Sequence, residues 1–172
     1  AYSTLDQLKS GAASIYHGLK YVVDFSSPNT AKQLHVGHIR GMVIGEAICR
    51  LLEFCGATVI RDNHIGDWGT QFGKLIWGYK HLRNEDALRI DPLEELERIY
   101  KAADAETKQT PATLDAVRAE LVKLQAGDPE NRALWESINT ISAGAFEDIY
   151  RTLDIHFDHR LGESFYNDRL TQ

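Results

Sequence analysis

An α/β fold, a parallel strand pair joined to an all-helical segment, is predicted by three observations. A short β-branched and aromatic segment, Tyr21-Val22-Val23-Asp24-Phe25, comes first, and a second, Thr58-Val59-Ile60-Arg61, follows it. The stretch between them has helical periodicity, so the unit reads as βαβ within about forty residues, which implies parallel strands and a right-handed crossover. Beyond residue 90, three pairs, Asp91-Pro92, Thr110-Pro111 and Asp128-Pro129, each precede an apolar stripe at helical spacing.

Residues 1 to 20 form a lead-in without a strong pattern. Leu5, Leu8 and Ala12 suggest a short helix that Gly11 and Gly18 weaken. Residues 21 to 25 read as a buried strand because turn residues follow at once. From Val36 to Cys55, Ile44, Ile48, Leu51, Leu52 and Cys55 recur at helical spacing, and Gly56 stops the helix as a left-handed cap. After the second strand, His64 to Gly73 is glycine-rich and polar, then runs into a short helix carrying Leu75, Ile76 and Tyr79. A capping residue followed by proline is a helix start. The three such pairs therefore predict three packed helices with stripes Leu93, Leu96, Tyr100; Leu114, Val117, Leu121, Leu124; and Leu134, Ile138, Ile141, Ala145, Ile149. Ile155 to Asp158 reads as a third strand.

The 172 residues are 43% hydrophobic and 26% charged, the balance of an ordinary globular chain with a core of useful size. No apolar run approaches the ~20 residues of a membrane helix. No basic start leads into an apolar block, so the expected compartment is the cytoplasm. The formal charge of −6 argues against a surface that grips nucleic acid throughout. Cys49 and Cys55 fall on different faces of the predicted helix and are read as reduced thiols.

The chemistry concentrates in Ser26-Ser27-Pro28-Asn29-Thr30-Ala31-Lys32-Gln33-Leu34-His35-Val36-Gly37-His38. This segment lies between the first strand and its helix, where open α/β sheets bind ligands. A helix N-terminus attracts phosphate through its unpaired N–H groups and partial positive charge. Gly37 permits a close backbone approach. His35 and His38, three residues apart, are neighbours on the first turn and can donate hydrogen bonds to a phosphoryl oxygen, which suits charge stabilisation during displacement at phosphorus. Two other readings stand beside this one. The histidines merely cap the helix, or His35, His38, His64 and Asp67 supply metal ligands, although no cysteine cluster supports the latter. There is no G-x-G-x-x-G, and Gly69-Thr70-Gln71-Phe72-Gly73-Lys74-Leu75 has the wrong spacing and no hydroxyl residue after lysine for a P-loop.

His35-Val36-Gly37-His38 is similar to the HIGH signature of class I aminoacyl-tRNA synthetases. The segments Asp24 to Lys32, Arg61 to Gly73 and Gly162-Glu163-Ser164-Phe165-Tyr166, in that order and spacing, resemble arginyl-tRNA synthetases from about Tyr21 to the end. The resemblance implies a ligase that activates L-arginine with ATP, magnesium accompanying the nucleotide, and passes the arginyl group to tRNA(Arg). It implies a partial Rossmann-like (HUP-type) catalytic domain. Residues 21–81 would be its first half, 82–153 a helical insertion, and 154–172 a return strand opening the second half. The remaining family parts, including the lysine-rich loop that completes the ATP site, would lie outside these residues. By the same resemblance His35 and His38 contact ATP and stabilise the pentacoordinate phosphorus, and Gly37 leaves room for adenine and ribose. Asp24, Ser26, Asn29 and Lys32 surround the amino acid, whose guanidinium and ammonium call for carboxylates and amide oxygens. His64, Asp67, Trp68 and Gln71 belong to a loop lining the same pocket, with packing by Trp68 and helix capping by Asp67 as the competing roles. No residue is assigned to a metal. The alternatives are a non-catalytic nucleotide- or amino-acid-binding fragment or paralogue, and another HIGH-type adenylating ligase such as a pantothenate synthetase.

Overall fold

The computed structural model describes residues 15–169. The short helix expected around Leu5 to Ala12 lies outside them. Strand β1 (Lys20–Asp24) leads through a loop into helix α1 (Val36–Phe54), and β2 (Thr58–Asp62) returns beside β1. The strands are parallel, with Lys20 opposite Thr58 and Asp24 opposite Asp62. Helices α2 (Thr70–Leu82), α3 (Glu85–Ile90), α4 (Pro92–Gln109), α5 (Pro111–Gln125) and α6 (Pro129–Thr152) follow, and a 3₁₀ turn covers Glu163–Arg169. No helix among the described residues is long and apolar enough to cross a membrane.

Local chemistry explains the helix ends. Gly56 has φ +89°, the left-handed stop expected of it. Asp91 accepts from the Glu94 N–H and Asp128 from the Asn131 N–H, each ahead of a first-turn proline. Thr110 occupies the corresponding position without a side-chain cap, and its hydroxyl faces Glu106 instead. Helix α3 adds to the three expected ones. Asn84 caps it through the N–H groups of Asp86 and Ala87, and two acidic residues open its first turn.

Two further features depart from expectation. Ile155 to Asp158 forms no strand. The chain makes one bridge, His159 to Asp62, and the Asp158 and His159 N–H groups both meet the Arg61 carbonyl. The Asn63 N–H donates in turn to the His159 carbonyl at 3.0 Å, and the pairing continues no further into a ladder. On α1, Ile44, Ile48 and Leu51, which mark its periodicity, are exposed, whereas Met42, Gly45, Glu46 and Cys49 are buried. Gly45 takes the inward position because the Phe25 ring fills the space that a Cβ would need.

The core has two parts. One joins Phe72, Leu75 and Ile76 of α2 to Leu96, Leu124 and Ile138. The other joins Phe25, Met42 and Cys49 to Phe146, Tyr150 and Ile155. Helix α6 contributes to both and so spans the helical region and the strand pair. Cys49 is buried and unpaired with Cys55, as expected; burial is the main influence raising its thiol above the ordinary range.

A polar knot ties the helices together. Lys80 reaches Glu120 at 2.8 Å and Asn131 at 2.7 Å, and Asn131 Nδ2 donates to Glu120 at 2.9 Å. Burial pushes the Glu120 carboxyl upward, but bonds from Lys123, Lys80 and Asn131 outweigh it and hold the group at about 2. A carboxylate depressed in the folded state contributes stability above its unfolded value, and that contribution is lost as pH falls toward the folded value. Thermal unfolding is therefore expected to show stability falling from about pH 4.5 toward 2. Glu120→Gln should flatten that dependence and cost on the order of 1–3 kcal/mol at pH 7 by leaving Lys80 short of an acceptor. An unchanged acid profile would contradict this account of the knot.

Candidate active site

The two histidines form a reciprocal cap on α1. His35 is the N-cap residue, and its Nδ1 accepts the Gly37 N–H at 3.1 Å. The His35 N–H donates to His38 Nδ1 at 3.2 Å. The ring centroids are 4.0 Å apart. An Nδ1 that accepts an N–H carries no proton, so each neutral ring keeps its proton on Nε2. Burial, then the charges of His35 and Lys32, hold His38 below the ordinary histidine range and favour this neutral form. The cap is real, but it consumes only one nitrogen of each ring and leaves an Nε2–H donor on each. Gly37 has a structural reason of its own, since a Cβ there would come within 2.9 Å of the His35 ring.

The loop before α1 collects the other predicted residues. Asp24 ends β1, is exposed, and accepts from the Ser27 hydroxyl at 2.9 Å and the His64 N–H at 3.3 Å. Ser26 Oγ is 2.9 Å from the Tyr150 hydroxyl. Asn29 is exposed and bridges in parallel to Gly66. Its side chain occupies the space that a Cβ at Gly66 would take, so the two backbones approach closely there. The Lys32 ammonium lies 5.3 Å from the Tyr100 ring centre, a cation–π contact, and its charge is felt at His38.

The second loop divides. His64 sits beside Asp24 through its backbone, and its ring lies 5.7 Å from that of Tyr166. Its three companions serve the frame. Asp67 accepts from the Ser164 N–H at 2.8 Å and hydroxyl at 2.6 Å, pinning the Gly162–Tyr166 segment, and it caps no helix because Gly69 holds the N-cap of α2. Trp68 packs edge-on against Trp135 within the helical core. Gln71 donates to the Gly66 carbonyl at 2.7 Å. A cavity of about 450 Å³ lies beyond this loop, lined by Asp67, Trp68, Arg132, Trp135 and Arg160 among others; His35 and His38 do not line it. His35, His38, His64 and Asp67 do not assemble as a metal-ligand group among the described residues.

A family model described as "tRNA synthetases class I (R), catalytic domain" matches residues 3–172. The chain belongs to this family. The chain is 49% identical over 151 residues to an arginine–tRNA ligase of Fusobacterium nucleatum, covering 88% of itself and 26% of that protein. A Clostridium perfringens arginine–tRNA ligase is 47% identical over 162 residues, covering 94% and 29%. Among solved structures, an arginyl-tRNA synthetase from Plasmodium falciparum superposes with a TM-score of 0.69 at 34% identity over 91% of this chain and 26% of that one. One from Thermus thermophilus gives 0.67 at 25% identity, over 95% and 27%. The chain thus spans somewhat over a quarter of the length of these relatives. Its α/β architecture, with a short parallel sheet and mostly helices, matches their catalytic domain.

Sequence reasoning missed residues that shape the candidate site from a distance. Asn63 and Tyr150 hold the Ser26–Ser27 turn, and Arg61 binds α1 to β2. Arg61 and Asn63 were legible only as neighbours of the glycine-rich loop, and Tyr150 only as the end of an apolar stripe.

Proposed function

We propose that this chain is part of an arginine–tRNA ligase that joins L-arginine to ATP as arginyl-adenylate and then to tRNA(Arg). The observation that carries this reading is the doubly capped start of α1, which leaves two imidazole Nε2–H donors at a helix N-terminus beside the Asp24 loop. The strand pair is read as part of a Rossmann-like nucleotide-binding sheet.

In this reading the arginine carboxylate attacks the α-phosphorus of ATP and pyrophosphate leaves. Negative charge grows on the non-bridging oxygens, and fixed N–H donors lower the barrier most where that charge grows. His35 and His38 supply those donors. A hydrogen bond to a phosphoryl oxygen needs only a proton on Nε2, which the cap leaves in place on both rings. Asp24 meets a positive group of arginine, with Asn29, Ser26 and Lys32 shaping the space around it. A magnesium ion accompanying ATP would offset phosphate charge, and no residue here is assigned to hold it.

Calorimetric titration with a non-hydrolysable arginyl-adenylate analogue, and a lysyl analogue as control, tests the reading on this chain. Preferential binding of the arginyl compound is expected, and Asp24→Ala should weaken it about tenfold or more, as loss of a charge-assisted bond does. Equal binding of both analogues by the folded chain, or an unchanged affinity in Asp24→Ala, would overturn it.

A further inference from the structure

Three residues between β1 and α1 hold left-handed backbone without being glycine: Ser26 at φ 77°, Ser27 at 46° and Ala31 at 59°. Such geometry persists only where the surroundings over-determine it. The holding groups are buried and come largely from α6. Ser142 Oγ accepts the Ala31 N–H at 2.9 Å and donates to the Ile138 carbonyl at 2.8 Å. Asn63, fully buried, accepts the Ser27 N–H at 3.0 Å and donates from Nδ2 to the Tyr150 hydroxyl at 3.0 Å. The Tyr150 hydroxyl also shares a hydrogen bond with Ser26 Oγ, 2.9 Å away. Farther along α6, Trp135 Nε1 donates to the Asp67 carbonyl at 2.7 Å.

Each strained residue is therefore bonded to α6 directly or through one buried amide. The chain of bonds continues to the site, because Ser27, once fixed, places its hydroxyl on the Asp24 carboxylate at 2.9 Å. Tyr150 is itself held by the Phe157 ring, 5.0 Å away and edge-on.

We propose that α6 is a strut for the amino-acid loop, with Tyr150, Asn63 and Ser142 as positioning residues that keep residues 26–31 in the shape presenting Asp24 and Asn29 to the substrate. This rests on the function proposed above. The helical region then has a part in amino-acid binding without touching the ligand.

The test compares the chain with its Tyr150→Phe variant, which keeps the packed ring and removes the hydroxyl. Ile99→Val, trimming a buried side chain of α4, is the stability control. Two quantities are read: hydrogen exchange of the Ser27 and Ala31 amides by NMR, and affinity for the arginyl-adenylate analogue by calorimetry. Tyr150→Phe is expected to speed exchange at Ser27 and weaken the analogue about tenfold. Ser142→Ala is expected to act in the same direction through Ala31, and Ile99→Val to leave affinity unchanged. Faster exchange in Tyr150→Phe without weaker binding, or equal weakening by Ile99→Val, overturns the strut. A wild-type chain whose loop amides are protected but which binds neither analogue defeats the functional reading itself, and with it the strut's part in binding.

Discussion

His38→Asn is expected to slow pyrophosphate exchange into ATP by about 10²–10³, the range for removing one preorganised donor from a developing oxyanion. The assay uses a chimera in which residues 15–169 replace the corresponding part of the Fusobacterium nucleatum arginine–tRNA ligase, with tRNA present. The choice of asparagine follows from the geometry. Its amide oxygen can take the place of His38 Nδ1, which accepts the His35 N–H at 3.2 Å, so the helix cap survives while the Nε2–H disappears. The loss should fall on the rate more than on arginine affinity, because the lost bond strengthens in the transition state. A glutamine at 38, whose amide nitrogen reaches the Nε2 position, should recover part of the rate. Equal losses in rate and affinity would make His38 a binding or capping residue only.

Arg61→Ala is expected to destabilise the chain by about 3–5 kcal/mol, the cost of breaking a buried ion pair by removing one partner. Arg61 meets Glu46 at 2.9 Å and Glu53 at 2.6 Å, and Glu46 also accepts from Arg50 at 2.7 Å. The Glu46 side chain is only 8% exposed, so without Arg61 it must lie buried and under-paired. Domains of this kind hold about 5–15 kcal/mol in total, and such a loss consumes much of it. Burial pushes the Glu46 carboxyl up, yet bonds from Arg61 and Arg50 bring it below the ordinary range, so the cluster weakens as pH falls below that range. Arg61→Met combined with Glu46→Leu should recover most of the loss, since a buried ion pair is often replaceable by apolar residues of similar volume. Urea unfolding of the three variants checks the pattern, and equal stability of wild type and Arg61→Ala would contradict it. The consequence for the site is geometric. The cluster fixes α1, which carries the histidines, against β2, whose end leads to Asn63 and His64.

What was legible in the sequence rests on local rules. The strand–helix–strand unit, the stop at Gly56 and the caps at Asp91 and Asp128 each depend on a few adjacent residues, and each is present. The histidine pair was legible for the same reason, and its capping alternative is present in the structure without excluding the functional one. The failures have a shared physical cause. A third strand over Ile155 to Asp158 needed a partner ladder, and periodicity cannot tell whether one is offered; the pairing here stops at the single bridge of His159 to Asp62. For Asp67, Trp68 and Gln71, local rules could not say what each side chain touches. Their partners, Ser164, Trp135 and the Gly66 carbonyl, include two that lie far along the chain. Tyr150 is 87 positions from Asn63 and 124 from Ser26, so no local pattern could join them.

The most direct measurement of the central claim is pyrophosphate exchange by the unmodified chimera with L-arginine or L-lysine, repeated after both histidines are changed to asparagine. The account predicts exchange that depends on arginine, is weak or absent with lysine, and falls by at least the single-variant factor of about 10² when the two Nε2–H donors are removed. A folded chimera that exchanges equally with lysine, or as fast without the histidines, would contradict it.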